Sequence, residues 1–122
     1  IVMSEFCAVE APGQNIMLVG AGKIGLHLAK SLEQNNYHVK LVEHGAERAR
    51  QVAEQLDATI VLRGDAADED LMLQENIDAM DVFCSLTNDD EANILSAMLA
   101  KRLGAHRTMA LINRSAYVDL IE

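Results

Sequence analysis

The run IMLVGAGKIG, Ile16 to Gly25, constrains this chain more than any other stretch. Four apolar residues lead into glycines at Gly20, Gly22 and Gly25, with a helical pattern behind them. That is G-x-G-x-x-G in the context that gives it meaning, a strand before and a helix after. Gly20 permits a tight turn. Gly22 lacks a side chain where a pyrophosphate must approach the backbone, and Gly25 allows close packing of helix on strand. The helix amino terminus offers unpaired N–H groups and a partial positive charge to phosphates. Alone the motif is weak, because small residues also serve ordinary helix–sheet packing.

Glu43 shifts the balance. It lies 18 residues beyond Gly25, at the end of the next apolar run, where a carboxylate accepts hydrogen bonds from ribose hydroxyls. Its charge also repels a 2′-phosphate, which favours NAD(H) or another adenine nucleotide, such as ATP or ADP, over NADP. The competing reading is a solvated acid at a strand end.

The rest of the chain repeats the alternation of strand and helix that builds a parallel sheet. Strands are expected at 15–19, 38–42, 59–62, 82–87 and 108–112. The first helix is expected over 23–34, with Ile24, Leu28 and Leu32 on one face, and Asn35-Asn36 breaking it. A second, over 46–56, carries Ala49, Val52, Ala53 and Leu56 as its apolar stripe. A short helix fits 69–74. Asp89, Asp90 and Glu91 then open a helix carrying Ile94, Leu95, Met98 and Leu99, which Gly104 stops. A last helix starts at Ser115. Its apolar Tyr117, Val118, Leu120 and Ile121 are too few to be stable alone and call for more chain or a partner subunit, so a homo-oligomer is expected.

The fold class is therefore α/β, a Rossmann-like doubly wound parallel sheet in three α/β/α layers. Residues 1–14 read as a linker or N-terminal extension, and 15–122 as a Rossmann-like nucleotide-binding domain ending within its final helix. The Ile1 start and the linker-like segment through Pro12-Gly13 read as an excerpt from a longer protein.

With 122 residues the chain can bury a core without disulfides, and with two Tyr, two Phe and no Trp that core must be aliphatic. A net charge of −9 argues against nucleic-acid or anionic-membrane surfaces, which select basic faces. Cys7 and Cys84 form no C-x-x-C pair, which fits a reducing cytosol, and no apolar run is long enough to enter a bilayer.

Other chemistry is sparse. Asp65 closes the third strand in RGDA, where it and Ala66 can meet an adenine at the carboxyl edge; a plain turn role for Asp65 is the stronger reading from the residues alone. Thr87 and Asn88 either face the same crevice or cap the next helix. Lys23 either reaches a phosphate or is simply exposed. His27, His38, His44 and His106 show no metal-ligand spacing, Asp89-Asp90-Glu91 suits a helix start better than a cation, and Cys84 suits a core position. Tyr117 lacks the lysine four positions on that a short-chain dehydrogenase would carry; Ile121 stands there. With a cofactor half and no catalytic partner, the nucleotide reads as a signal, and the chain as a non-enzyme. The cofactor half of an NAD-dependent oxidoreductase remains the main alternative, and a methyltransferase a weaker one.

The segments LVGAGKIG, VKLVEHGAERA, VLRGDAADEDLM, SLTNDDEANILSAMLAK and INRSAYVDL, in this order and spacing, resemble the TrkA amino-terminal domain family. These domains are also called RCK, for regulators of the conductance of potassium. The resemblance runs from about Asn15 to the last residue and is nearest to the second of two such domains in potassium-uptake proteins. It implies a cytoplasmic gating subunit at the inner face of the membrane, partnered with a membrane potassium transporter and not itself inserted. It also implies that Gly20, Gly22 and Gly25 cradle phosphates with Lys23 and Ile24 alongside. Glu43 would hold the ribose, Asp65 and Ala66 the adenine side, and Thr87 and Asn88 the far end. Glu43-His44-Gly45 departs from the family pattern, in which a charged or polar residue follows the acid. A Kef-type potassium-efflux regulatory domain is the near alternative.

Overall fold

The computed structural model describes residues 14–65 and 68–112. Five strands form one parallel sheet: β1 (Asn15–Val19), β2 (His38–Glu43), β3 (Ile60–Arg63), β4 (Val82–Ser85) and β5 (Arg107–Ala110), in the order β3-β2-β1-β4-β5. Four helices connect them: α1 (Lys23–Gln34), α2 (Ala46–Gln55), α3 (Glu69–Gln74) and α4 (Asp90–Arg102), with a 3₁₀ turn at Ile77–Ala79. Central β1 pairs Asn15 with His38 through Val19 with Val42 on one side. On its other side it pairs Ile16 with Val82 through Val19 with Ser85.

Alternation along β1 explains the three layers. Ile16 and Leu18 point into a cluster with Leu28, Ala29 and Leu32 of α1 and Val52 of α2. Met17 and Val19 point the other way, to Met72 of α3, Ile77, Phe83, and Ala97 and Ala100 of α4. A strand buried on both faces favours apolar residues at successive positions, which is why the sheet centre reads as nearly continuous apolar runs. The chain moves outward from β1 through β2 to β3, then crosses back to β4. The carboxyl ends of β1 and β4 thus flank the point where strand order reverses, where open α/β sheets bind ligands.

Several boundaries differ from the sequence expectations, for physical reasons. β2 extends through Glu43, which pairs with Arg63, and β3 starts at Ile60 rather than Thr59 because Glu33 takes both the N–H and the hydroxyl of Thr59. Beyond Ser85 the Leu86 N–H still donates to the Val19 carbonyl, but both backbone polar groups of Thr87 leave the ladder for an Asn93 side chain of α4, where β4 has ended. β5 begins at Arg107. Asn35 and Asn36 do end α1, with Asn36 at φ 68°, and Gly104 at φ +117° does end α4.

The apolar stripes are the larger correction. Ile24, expected on the buried face of α1, is 41% exposed, and Ala53 faces solvent on α2. On α4 half of the expected stripe is turned outward: Leu95 and Met98 are 64% and 63% exposed, whereas Ile94 and Leu99 are half-buried, Leu99 against the core, and Asn93, Ser96, Ala97 and Ala100 are buried. Ser85 at the end of β4 and Thr87 in the loop after it supply polar partners, so α4 lays a polar-and-small face on the sheet. The last helix expected from Ser115 lies outside the described residues.

Candidate nucleotide-binding site

The site is built on the loop that leaves β1. The Gly20 N–H donates to the Val42 carbonyl at 2.8 Å, prolonging the β1–β2 ladder by one bond. Gly20 then turns at φ +99°, and a Cβ there would meet Leu86 C and O and Thr87 N at 3.0 Å. Both its conformation and its neighbours demand glycine. Gly25 is required by contact alone: its Cβ would lie 1.9 Å from the Gly20 carbonyl oxygen. The helix therefore presses on the loop at that one point. Gly22 is different. It caps α1 in an extended conformation (φ −72°), and a Cβ there would meet nothing within 4 Å. Only open space adjoins it.

Ala21, fully buried between the first two glycines, is held at both polar ends. Its N–H donates to Glu43 Oε1 at 2.9 Å, and its carbonyl accepts from Arg48 Nε at 2.6 Å. Glu43 is itself buried, 7% exposed, and its Oε2 accepts from the Gly45 N–H at 2.8 Å. His44 Nδ1 stands 3.4 Å from the same oxygen. Two backbone N–H groups thus aim the carboxylate and leave it lone pairs, since an ionised carboxylate has about four acceptor sites. Glu43 is more than the solvated strand-end acid of the competing reading: it fastens the glycine loop to the start of α2.

The other expected residues gather at the same sheet edge to different degrees. The Gly64 N–H donates to the Glu43 carbonyl at 3.0 Å, which sets exposed Asp65 beside the end of β2. The Asp65 carbonyl accepts from the Asp68 N–H at 3.0 Å, so Asp65 also makes the turn that its alternative reading required. Ala66 lies outside the described residues. Lys23 and Ile24, between Gly22 and Gly25 in the chain, are exposed on the first turn of α1.

Thr87 is close to the loop through Gly20, yet its hydroxyl points to its own helix: Oγ1 donates to Asn93 Oδ1 at 2.6 Å and accepts from the Asp89 N–H at 3.2 Å. Asn88 is exposed, and Asp89 caps α4 by accepting from the Ala92 N–H at 3.1 Å. The Thr87 side chain thus serves the start of α4, while its backbone nitrogen lies beside Gly20.

Two residues that organise the site were not singled out from the sequence. Asn93, fully buried, accepts from Ser85 Oγ at 3.0 Å and from the Thr87 N–H at 3.0 Å, and donates to the carbonyls of Thr87 and Leu111 at 2.9 and 3.0 Å. It ties the ends of β4 and β5 to α4. Arg48 had a faint signal: a cation in the first turn of a helix opposes the macrodipole, so its presence there asks for a specific partner. Among the described residues no group of His, Cys, Asp and Glu could hold a metal ion, and no helix is long and apolar enough to cross a membrane.

Comparison with known proteins fits this geometry. A family model described as the TrkA-N domain matches residues 16–122. The Trk system potassium uptake protein TrkA of Vibrio alginolyticus is 58% identical over 121 residues, 99% of this chain and 26% of that protein. The protein of the same name from Halomonas elongata is 50% identical over 121 residues, again 99% of this chain and 26% of its own length. The chain thus spans about a quarter of the length of these curated relatives. Among solved structures, one titled "GsuK channel bound to NAD" superposes with a TM-score of 0.75 at 18% identity, covering 93% of this chain and 20% of that one. At that identity the likeness shows the fold, and the Rossmann-like class expected from the sequence is the observed one.

Proposed function

The chain belongs to the TrkA-N domain family, and from that premise we propose that it is a regulatory nucleotide-binding domain of a potassium uptake system. One observation carries the nucleotide half of this reading. The glycine loop and the Glu43 carboxylate are fastened together at the strand-order switch point, with open space at Gly22. The residues present fit a dinucleotide. Gly22 and the first turn of α1, with Lys23 and Ile24, face the phosphates; the lone pairs left on Glu43 accept from the ribose hydroxyls. Asp65 and Ala66 border the adenine side, and Thr87 and Asn88 the far end. NAD(H) is the preferred ligand, in line with the NAD named for the channel of like fold, and ATP or ADP share the adenosine half.

The nucleotide acts as a signal, not a reactant, in keeping with relatives named for potassium uptake. A ligand that favours one arrangement of the domain over another shifts the population toward it, by no more than its difference in affinity for the two. The partner reading the shift is a membrane potassium transporter, with the domain at the inner face of the membrane. A second copy of the chain is the other expected partner, and the exposed Leu95 and Met98 on α4 support it.

Calorimetric titration with NADH, NAD⁺, ATP and ADP tests the binding. No ligand binding more tightly than about millimolar, roughly −4 kcal/mol, would overturn it. Potassium flux through the transporter, with and without the bound nucleotide, tests the regulatory role.

A further inference from the structure

Arg48 lies 23 residues beyond Gly25, outside the glycine motif and beyond the ribose acid, and makes a single contact that bears on both. Its Nε donates to the Ala21 carbonyl at 2.6 Å. The Ala21 carbonyl and the Gly22 N–H belong to one peptide unit. In a planar trans peptide these two groups point in opposite directions, and none of the described peptide bonds is cis. A carbonyl held toward α2 therefore turns the Gly22 N–H away from α2. No described residue accepts that N–H, and the space beside Gly22 is open.

We propose that Arg48 is a positioning residue for anion binding: it holds the Ala21–Gly22 peptide with the N–H outward, as a ready donor to a phosphate oxygen. This rests on the nucleotide reading of the same site. Without the guanidinium the peptide is free to rotate, and the carbonyl dipole then faces the phosphate instead. Glu43 performs the complementary task on the preceding peptide, since it holds the Ala21 N–H. An acid and a base from neighbouring positions on β2 and α2 thus fix two consecutive peptides of the loop. Arg48 touches no ligand in this scheme. Its effect falls on phosphate-bearing ligands and spares adenosine, which reaches only the Glu43 end.

The test compares wild type, R48M and R48K. Methionine keeps the apolar stem without a donor, and lysine restores a cationic donor. R48M is expected to bind NADH and ADP-ribose about tenfold or more weakly, the loss of one charge-assisted hydrogen bond. Adenosine affinity, followed by NMR titration, stays within about twofold, and R48K recovers part of the loss. Equal losses for adenosine and NADH, or none for either, would overturn the proposal. A second readout needs no ligand: the N–H residual dipolar coupling of Gly22 in the free protein is expected to change in R48M and return in R48K. If wild type binds no nucleotide, the functional reading fails by itself, and an unchanged Gly22 coupling in R48M would separately sink the positioning role.

Discussion

Asn93 holds both backbone polar groups of Thr87, accepting from its N–H at 3.0 Å and donating to its carbonyl at 2.9 Å. The same amide donates to Leu111 and accepts from Ser85, so one buried side chain completes the hydrogen bonding of two strand ends. Backbone groups at the carboxyl edge of a sheet have left the ladder, and burying them unpaired is costly. Asn93 is the means by which β4 ends under a helix without that penalty.

Removing it should therefore cost more than an ordinary polar substitution. N93A removes the one side chain that serves the Thr87 N–H and the Thr87 and Leu111 carbonyls, and a loss of about 3 kcal/mol is expected from urea denaturation. N93D is expected to be no better at neutral pH. It would set a carboxylate oxygen against the Thr87 or Leu111 carbonyl, where the amide nitrogen now donates. A variant N93D as stable as wild type would show that the network is dispensable.

The α4 face also shows where the sequence is readable and where it is not. Strand positions along β1, β2 and β4 were legible because a doubly covered strand is apolar at most positions, and the glycine loop because steric demands at Gly20 and Gly25 leave no other choice. Leu95 and Met98 misled for the opposite reason. Helical periodicity tells which residues share a face but not which face meets the sheet, and Asn93 with Ser96 wins that contact through a shared partner, Ser85, 8 and 11 positions back. Glu43 was legible as an acid at a strand end, whereas its grip on Ala21 depends on β1–β2 register, which spacing does not reveal. Arg48 needed the same register.

Gly22 and Gly25 should separate stability from binding. G25A drives a methyl to 1.9 Å from the Gly20 oxygen, which is backbone and cannot step aside cheaply. A loss of about 2 kcal/mol or more is expected, with a displaced loop. G22A meets no atom within 4 Å and has a φ that alanine adopts, so its cost is about 1 kcal/mol at most, that of a poorer helix cap. Its NADH affinity should nonetheless fall, because the methyl occupies the space a pyrophosphate needs. Thermal unfolding and calorimetry on the two variants check both halves.

Glu43 couples the two functions that Gly22 and Gly25 divide. E43Q must turn an amide N–H₂ toward either Ala21 or Gly45, each of which donates at present. One buried N–H then loses its acceptor, at a cost of about 2 kcal/mol. Nucleotides should bind at least about tenfold more weakly, with adenosine affected as much as NADH. R48M is expected to spare adenosine, so the pair of variants separates the role of the Ala21 N–H end from that of its carbonyl end.

If the exposed face of α4 meets a second copy of the chain, L95S/M98S should lower self-association without loss of fold. Both side chains are more than half exposed, so their removal costs the single chain little apolar burial. Sedimentation equilibrium of wild type and the double variant measures the effect. Equal association in both would move the interface elsewhere.

Glu33 supplies a pH dependence remote from the site. At the end of α1 its carboxylate accepts from the N–H groups of Asp57, Ala58 and Thr59 and from the Thr59 hydroxyl, stapling the loop before β3. Partial burial pushes its pKa up, but these four donors outweigh that and hold it below the usual glutamate value. A carboxyl depressed in the folded state contributes stability that is present above its unfolded pKa, about 4.3. That contribution is lost as pH falls through the folded value. Wild type should therefore exceed E33Q in stability at pH 7, and the gap should close on acidification below about pH 4. Urea denaturation of both proteins across this range measures it. A gap that stays constant with pH would mean that the contacts stabilise through their neutral hydrogen bonds and not through the charge.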